Sequence, residues 1–231
     1  MKVDIGIIGA LSEEVSGLIN SLLEHNSETV SGIEFHTGIL EGKRVAVAKC
    51  GVGKVFAAIC TEAMIIKYSP SLIINSGVGG ALAQVLKTAD LVIADKLVQH
   101  DMDTSPIGDP KGLVSGINKI YFDADARAVS IAKEAADNFG YPALVGTVAT
   151  GDKFIADKED KHCIVSDFSA VACEMEGAAV AHTAYVNNTP FIVIRAISDS
   201  ADGDATMDYL EFLPIAAKKS TALTLALVKA Y

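Results

Sequence analysis

Several carboxylates in this chain stand where an acid or an anion could act on a bound molecule. Asp199 directly follows the apolar run Phe191 to Ile197. Glu174 and Glu176 follow Val171-Ala172-Cys173, with Met175 between them. Glu14 lies just past the first apolar run, where a helix-like pattern opens. A carboxyl group in a partly apolar crevice keeps its proton more tightly, because burial penalises the charged form, so it can serve as an acid near neutrality. A second, ionised carboxylate can orient water or bind sugar hydroxyls. Each residue also has a purely structural reading. Glu14 fits as a partner of a helix dipole, Asp199 as an N-cap or turn residue, and Glu174 and Glu176 as helix-start carboxylates. Met175 and Phe154 equally suit a core. One at a time these are weak signals; their joint placement at one edge of a sheet is stronger.

Apolar runs and helical patterns alternate to produce that edge. Val3 to Ile8, Leu72 to Asn75, Leu91 to Val98, Ala143 to Thr150 and Phe191 to Ile197 are expected strands, with a short one at Ala170 to Cys173. Ile33 to Leu40 and Arg44 to Lys49 flank Glu41-Gly42-Lys43 as a hairpin. Ser12 is placed to cap a helix whose face is Val15, Leu18, Ile19, Leu22 and Leu23. Phe56, Ile59, Cys60, Ala63 and Met64 share a second helical face. Asp123 to Phe139, Glu176 to Tyr185 and the C-terminal stretch are helical, with Pro214 near the start of the last or kinking it. Gln99 to Asn118 has little periodicity, and a connection this long is usually a lid, a binding loop or a contact with a partner. The pattern is that of one α/β domain over residues 1–231, a mostly parallel sheet covered on both faces. Ligands in such folds bind beyond the carboxyl ends of the strands. That rule selects Gly9 to Glu14, Gly51 to Lys54, Gly77 to Gly80, Thr150 to Ile155 and Ser198 to Asp202.

Composition narrows the partners. The 231 residues include 19 basic and 29 acidic ones, a formal net charge of −10, and Arg44, Arg127 and Arg195 are the only arginines. Nucleic acid and anionic membrane surfaces need clustered cations, so neither is expected. No apolar run approaches the roughly 20 residues of a membrane span. Asp4, Glu13 and Glu14 interrupt any signal-like segment, and Cys50, Cys60, Cys163 and Cys173 form no CxxC pair, so a cytoplasmic protein with buried cysteines is expected. Gly51-Val52-Gly53-Lys54 lacks the remaining residues of a P-loop, and Gly77-Val78-Gly79 lacks the third glycine of a dinucleotide fingerprint. The acidic run from Asp199 to Glu211 does not have EF-hand spacing, and the five histidines have no metal-ligand spacing. His100-Asp101 suits a structural or surface role better than acid–base chemistry.

Five strings occur in order: Ile7 to Val15, Cys50 to Lys54, Thr150 to Ile155, Cys173-Glu174-Met175-Glu176-Gly177-Ala178, and Arg195-Ala196-Ile197-Ser198-Asp199. Together they resemble the bacterial 5′-methylthioadenosine/S-adenosylhomocysteine nucleosidases of the purine nucleoside phosphorylase superfamily. The resemblance covers nearly the whole chain. It implies a three-layer fold, a mixed central sheet flanked by helices, and a homodimer. It implies hydrolysis of the N-glycosidic bond in methionine salvage, without metal or organic cofactor. By position, Asp199 resembles the acid that protonates purine N7, with Ser198 beside it, and Glu14 the residue that activates water. Glu176 resembles the glutamate that accepts the ribose hydroxyls, with Glu174 on the same segment, and Met175 the methionine packed on the sugar. Phe154 and Ile155 resemble the pair that stacks on and hydrogen-bonds the base. Tyr209 falls where the family has an aromatic residue near the sugar. Thr104 and Ile107 resemble residues that line the 5′ pocket of the neighbouring subunit. Val78 stands where the family often carries a small hydroxyl residue that holds the aspartate.

Three rival readings stay open at this point. A phosphorylase would need a dianion site, and Glu13 and Glu14 occupy the loop where phosphorolytic relatives often place a cation. A nucleosidase for another 5′-substituted adenosine, such as 6-amino-6-deoxyfutalosine or 5′-deoxyadenosine, would share the same motifs. A non-catalytic nucleoside-binding protein on this fold would lack the acids at the strand ends.

Overall fold

A computed structural model describes residues 2–141, 143–199 and 205–231. The chain runs β1 (Ile5–Gly9), α1 (Ser12–Asn20), β2 (Leu23–Val30), β3 (Ile33–Leu40), β4 (Lys43–Lys49), α2 (Lys54–Tyr68), β5 (Leu72–Ala81) and β6 (Leu91–Gln99). It continues through β7 (Tyr121–Asp123), α3 (Ala126–Asn138), β8 (Ala143–Thr150), α4 (Lys158–Phe168), β9 (Ala172–Glu174), α5 (Gly177–Val186), β10 (Phe191–Asp199) and α6 (Ala205–Ala230).

The strands form one mixed sheet. β5 lies at its centre, parallel to β1 on one side and to β10 on the other. β10 is antiparallel to β6, β6 and β8 are parallel, and β9 joins β8 back to the far end of β5. Those five strands therefore close on themselves, while β4, β3 and β2 extend the sheet outward from β1.

Side-chain alternation along the strands splits the core into two layers. Ile5 and Ile7, Val45 and Val47, Leu72 and Ile74, and Ile192 and Ile194 face α1, α3 and α6. Ile8, Ala46 and Ala48, Ile73, and Phe191 and Val193 face α2 and α5. The central strands β1, β5 and β10 are buried along their whole length and mostly apolar because both of their faces are covered by helices. The result is the expected three-layer α/β architecture. No helix among the described residues is long and apolar enough to cross a membrane.

Several local expectations change. Ser12 does not cap α1: the N-cap is Leu11, and Ser12 is already the first helical residue. The helix stops at Asn20, so Leu22 is buried beyond its end, while Leu23 is 68% exposed at the start of β2. On α2, Cys60, Ala63 and Met64 face inward as expected, but Phe56 and Ile59 are 55% and 42% exposed. Cys50, Cys60 and Cys173 are buried, whereas Cys163 is exposed. The helix expected from Asp123 begins only at Ala126, where the Asp125 carboxylate accepts the Ala128 N–H at 2.8 Å. Pro214 stands inside α6. The Gln99 to Asn118 segment carries a single 3-10 turn at Ser105–Ile107 and is pinned at its start, where Asp101 pairs with Lys54 at 2.6 Å and accepts the Asp152 N–H at 2.9 Å.

Candidate active site

The parallel strands β1, β5 and β10 end at one edge, and a cavity of about 560 Å³, open mouth included, lies beyond it. Ten of the twelve residues singled out in the sequence line it: Glu14, Val78, Phe154, Ile155, Glu174, Met175, Glu176, Ser198, Asp199 and Tyr209.

Glu14 enters from the first turn of α1. Its Oε2 accepts the N–H groups of Ala10 and Leu11 at 2.7 and 3.0 Å, and its Oε1 accepts the N–H of Val78 at 2.9 Å. The carboxylate thus closes the open end of its own helix and ties it to β5. A carboxylate offers about four acceptor sites, so Oε1 keeps capacity for a water. Burial raises the proton affinity of Glu14, outweighing the nearby Arg195 guanidinium and the three N–H donors. A base raised in this way is poised nearer neutrality.

The glycines of Gly77-Val78-Gly79-Gly80 belong to β5 and not to a turn after it. They make room for carboxylates. A Cβ on Gly77 would lie 2.5 Å from Glu14 Oε1, and one on Gly80 would lie 2.7 Å from Asp199 Oδ2. Both are closer than real Cβ atoms approach. The contribution of Val78 is its backbone N–H, which any residue type could supply.

Asp199 ends β10 opposite Gly80, after a register irregularity that falls at Ser198. Such irregularities re-aim side chains. The Ser198 hydroxyl lies 2.9 Å from Asp199 Oδ1, so the serine next to it supplies a hydroxyl support for the aspartate in a chain that has Val78 on the glycine-rich strand. Lys161 Nζ of α4 stands 4.0 Å from Asp199 Oδ2, and both side chains are buried. Gly80→Ala is expected to displace the Asp199 carboxylate and cut kcat by about 10²-fold, as misplacement by about 1 Å does. Steady-state adenine release with unchanged far-ultraviolet circular dichroism would check it.

Glu174 and Glu176 differ sharply in their partners. Glu174 is held inside the protein. It accepts the Thr150 hydroxyl and the Arg195 guanidinium, as well as the N–H groups of Glu176 and Gly177 at 3.1 and 2.7 Å. Arg195 is fully buried and also donates to Asn75 Oδ1 at 2.5 Å. Burial alone would weaken its hold on the proton, but Glu174, Glu176 and Glu14 outweigh that. Arg195 is therefore the buried counter-charge of three carboxylates. Glu176 accepts one bond, from the Gly53 N–H at 2.8 Å, which leaves acceptor sites for a ligand. Burial and the neighbouring Glu174 raise its proton affinity against the pull of Arg195 and Gly53.

Phe154 and Tyr209 meet edge to face at the cavity mouth, with ring centroids 5.6 Å apart. Thr104 and Ile107 do not line this cavity. The Thr104 hydroxyl donates to Asp109 at 2.8 Å, and Ile107 is 82% exposed on the 3-10 turn. Of the stretch Ser198 to Asp202, residues 200–202 lie outside the described residues.

The sequence profile of the phosphorylase superfamily matches residues 4–229. The 5′-methylthioadenosine/S-adenosylhomocysteine nucleosidase of Shewanella halifaxensis is 39% identical over 227 residues, 97% of this chain and 98% of that protein. The chain belongs to this nucleosidase family. The nucleosidase of Haemophilus influenzae strain 86-028NP is 38% identical over 97% of each chain. Among solved structures, the Neisseria meningitidis nucleosidase in complex with methylthio-immucillin-A superposes with a TM-score of 0.95 at 34% identity, covering 99% of both chains. The futalosine hydrolase of Helicobacter pylori gives the same score and identity, covering 99% of this chain and 98% of that one.

Within this nucleosidase-family site, sequence reasoning missed three residues. Thr150 has no role of its own in the sequence pattern beyond opening the Thr150 to Ile155 stretch, yet its hydroxyl accepts the Ala178 N–H at 2.7 Å while donating to Glu174, which joins β8 to α5. Asn75 holds Arg195 and also donates to the Ile8 carbonyl at 3.0 Å. Lys161 sits on α4, a helix the sequence reading did not contain. A cue existed: Asp157 accepts the Glu159 and Asp160 N–H groups, and an aspartate followed by two acidic residues is a helix-start pattern.

Proposed function

We propose that this chain hydrolyses the N-glycosidic bond of 5′-methylthioadenosine and S-adenosylhomocysteine, releasing adenine and the 5-thio-substituted ribose. The observation that carries the reading is one cavity that gathers the buried residues Glu14, Glu176 and Asp199. Breaking the bond makes the ribose oxocarbenium-like and drives electrons into the purine. Asp199 gives a proton to N7 and neutralises the departing base. Glu176 accepts the ribose hydroxyls and favours positive character on the ring. Glu14 holds the water that attacks C1′ opposite the base and takes its proton, which inverts the configuration. Met175 packs against the sugar, and Phe154 and Ile155 receive the base.

Water is favoured over phosphate as the nucleophile. Four carboxylates line the cavity, its one lining lysine among the described residues is Lys153 at the exposed mouth, and the Arg195 guanidinium is committed to Glu174 and Asn75. A phosphate dianion there would lack the cationic clamp it needs. Adenine release from methylthioadenosine is therefore expected to be unchanged by added inorganic phosphate, with a free reducing sugar as co-product. Faster turnover in phosphate with a sugar 1-phosphate product would overturn the reading.

The chain acts as a homodimer in this proposal. Val55, Ile59, Ile66 and Val186 line one shallow groove on the α2–α5 side and are exposed, an apolar surface that a second copy would cover. The Thr104 to Ile107 turn then reaches the partner's 5′ pocket. Four free thiols suit a reducing, cytoplasmic setting. The similarity to the Helicobacter pylori futalosine hydrolase favours a second reading of the same chemistry, in which other 5′-substituted adenosines are also cleaved.

A further inference from the structure

α4 turns Lys161, Ile164 and Phe168 inward, one helical face. Ile164 and Phe168 pack in the small apolar cluster that also holds Ile155 and Cys173. The first of these three inward positions is a lysine, which puts a charge beside an apolar cluster, and lysine is almost never fully buried without a partner. Its side chain is 7% exposed, and its Nζ lies 4.0 Å from Asp199 Oδ2. It approaches from behind the cavity wall: Lys161, Ile164 and Phe168 do not line the cavity, while Ile155 and Cys173 of the same cluster do.

We propose that Lys161 is a positioning residue for glycosidic cleavage, stabilising the carboxylate that Asp199 becomes as its proton passes to the purine. The inference rests on the reading of Asp199 as the acid. In that step the carboxyl O–H bond breaks and the N7–H bond forms. The C1′–N9 electron pair goes to the base, and the negative charge lands on Asp199. At 4.0 Å the ammonium is beyond hydrogen-bond reach of that oxygen, so it acts on the charge through space. A fixed charge aimed at one that develops during reaction assists the step without reorganisation.

Among the described residues, Glu14, Glu174 and Glu176 share the cavity with Asp199 and bring no cation. Two further titratable groups among the described residues face it, the Cys173 thiol of β9, pushed up to about 12 by burial and Asp199 itself, and the Tyr209 phenol of α6, raised mainly by burial and also by nearby carboxylates. Both stay neutral across the working range, and the adjoining Gly80 and Ser198 bring no charge. Of these described groups, Lys161 brings the cation.

The test compares Lys161→Met, Lys161→Gln, Lys161→Arg and Asp199→Asn on methylthioadenosine, following adenine release from pH 5 to 10. Removing the charge with Met or Gln is expected to lower kcat about 10-fold or more with little change in KM. It should also move the alkaline limb of the kcat profile up by about one pH unit, the usual effect of an opposite charge at this range. Arg should keep both near the parent values. If Lys161→Met does not fold, the contrast between Gln and Arg decides. An unmoved alkaline limb in the charge-removing variants, whether or not kcat falls, would reduce the lysine to a packing role while Asp199→Asn stays inactive. Near-normal turnover by Asp199→Asn would instead remove the acid reading, and this inference with it.

Discussion

Asp199→Asn is expected to lower kcat for adenine release by about 10³-fold, within the range that general-acid catalysis supplies, while nucleoside binding stays measurable. The substitution is nearly isosteric. Asparagine can still accept the Ser198 hydroxyl bond, and its amide fits the space that Gly80 leaves. What it cannot do is hand a proton to N7. Without that proton the base must leave as an anion, so the loss falls on kcat and on kcat/KM together. Titration calorimetry with a non-hydrolysable nucleoside analogue separates binding from turnover. The alkaline limb of the pH profile should vanish with the activity, because the group whose ionisation produced it is gone. An Asn variant with near-normal kcat would show that another donor serves the base.

The sequence placed the carboxylates well and misjudged what surrounds them, for physical reasons. Strand ends are legible because buried strands are continuous apolar runs, and Glu14, Glu174, Glu176 and Asp199 stand directly after or within such runs. The sequence pattern ends the strand at Asn75, before Gly77-Val78-Gly79-Gly80, because glycine usually breaks a strand. Here β5 continues to Ala81, and the missing side chains are what let Glu14 and Asp199 approach the backbone. Leu22 and Leu23 extended the spacing of α1 by chance, while β2 is a polar edge strand exposed from Leu23 to Thr29, so no buried face imposes alternation. Phe56 and Ile59 share helical spacing with Cys60 and Met64, but periodicity cannot say whether an apolar face meets the same chain or another copy. α4 escaped notice because one of its three inward residues is Lys161. A lysine is ordinarily a solvent-facing signal, so the pattern that marks the helix and the residue that makes it interesting cancel each other.

Glu14→Gln is expected to be as damaging as Asp199→Asn, about 10²- to 10⁴-fold in kcat, but with an opposite signature. Both oxygens of Glu14 already accept backbone N–H groups, from Ala10 and Leu11 on one and Val78 on the other. A glutamine must turn its amide N–H₂ toward one of these donors. That leaves at least one buried N–H without a partner, at a cost of about 1–3 kcal/mol. Against this, the neutral side chain removes a buried charge. The proton affinity of Glu14 is raised in the folded state, so the folded protein holds that proton more tightly than the unfolded chain does, and wild-type stability falls as pH rises from the unfolded value toward the folded one. The variant lacks this dependence. Its deficit in urea denaturation is therefore expected to be larger at low pH, where wild-type Glu14 is protonated, and to shrink toward neutrality. Catalytically, a base must be ionised to take a proton from water, so Glu14 contributes to the acid limb of the wild-type profile, alongside Glu176, whose carboxyl is raised to about 7 and must also ionise. The glutamine variant should keep only the Glu176 part of that limb. Retained turnover would take Glu14 out of the mechanism and leave it a helix cap. The two variants thus alter opposite limbs of one bell-shaped profile, an outcome that a general loss of folding could not imitate.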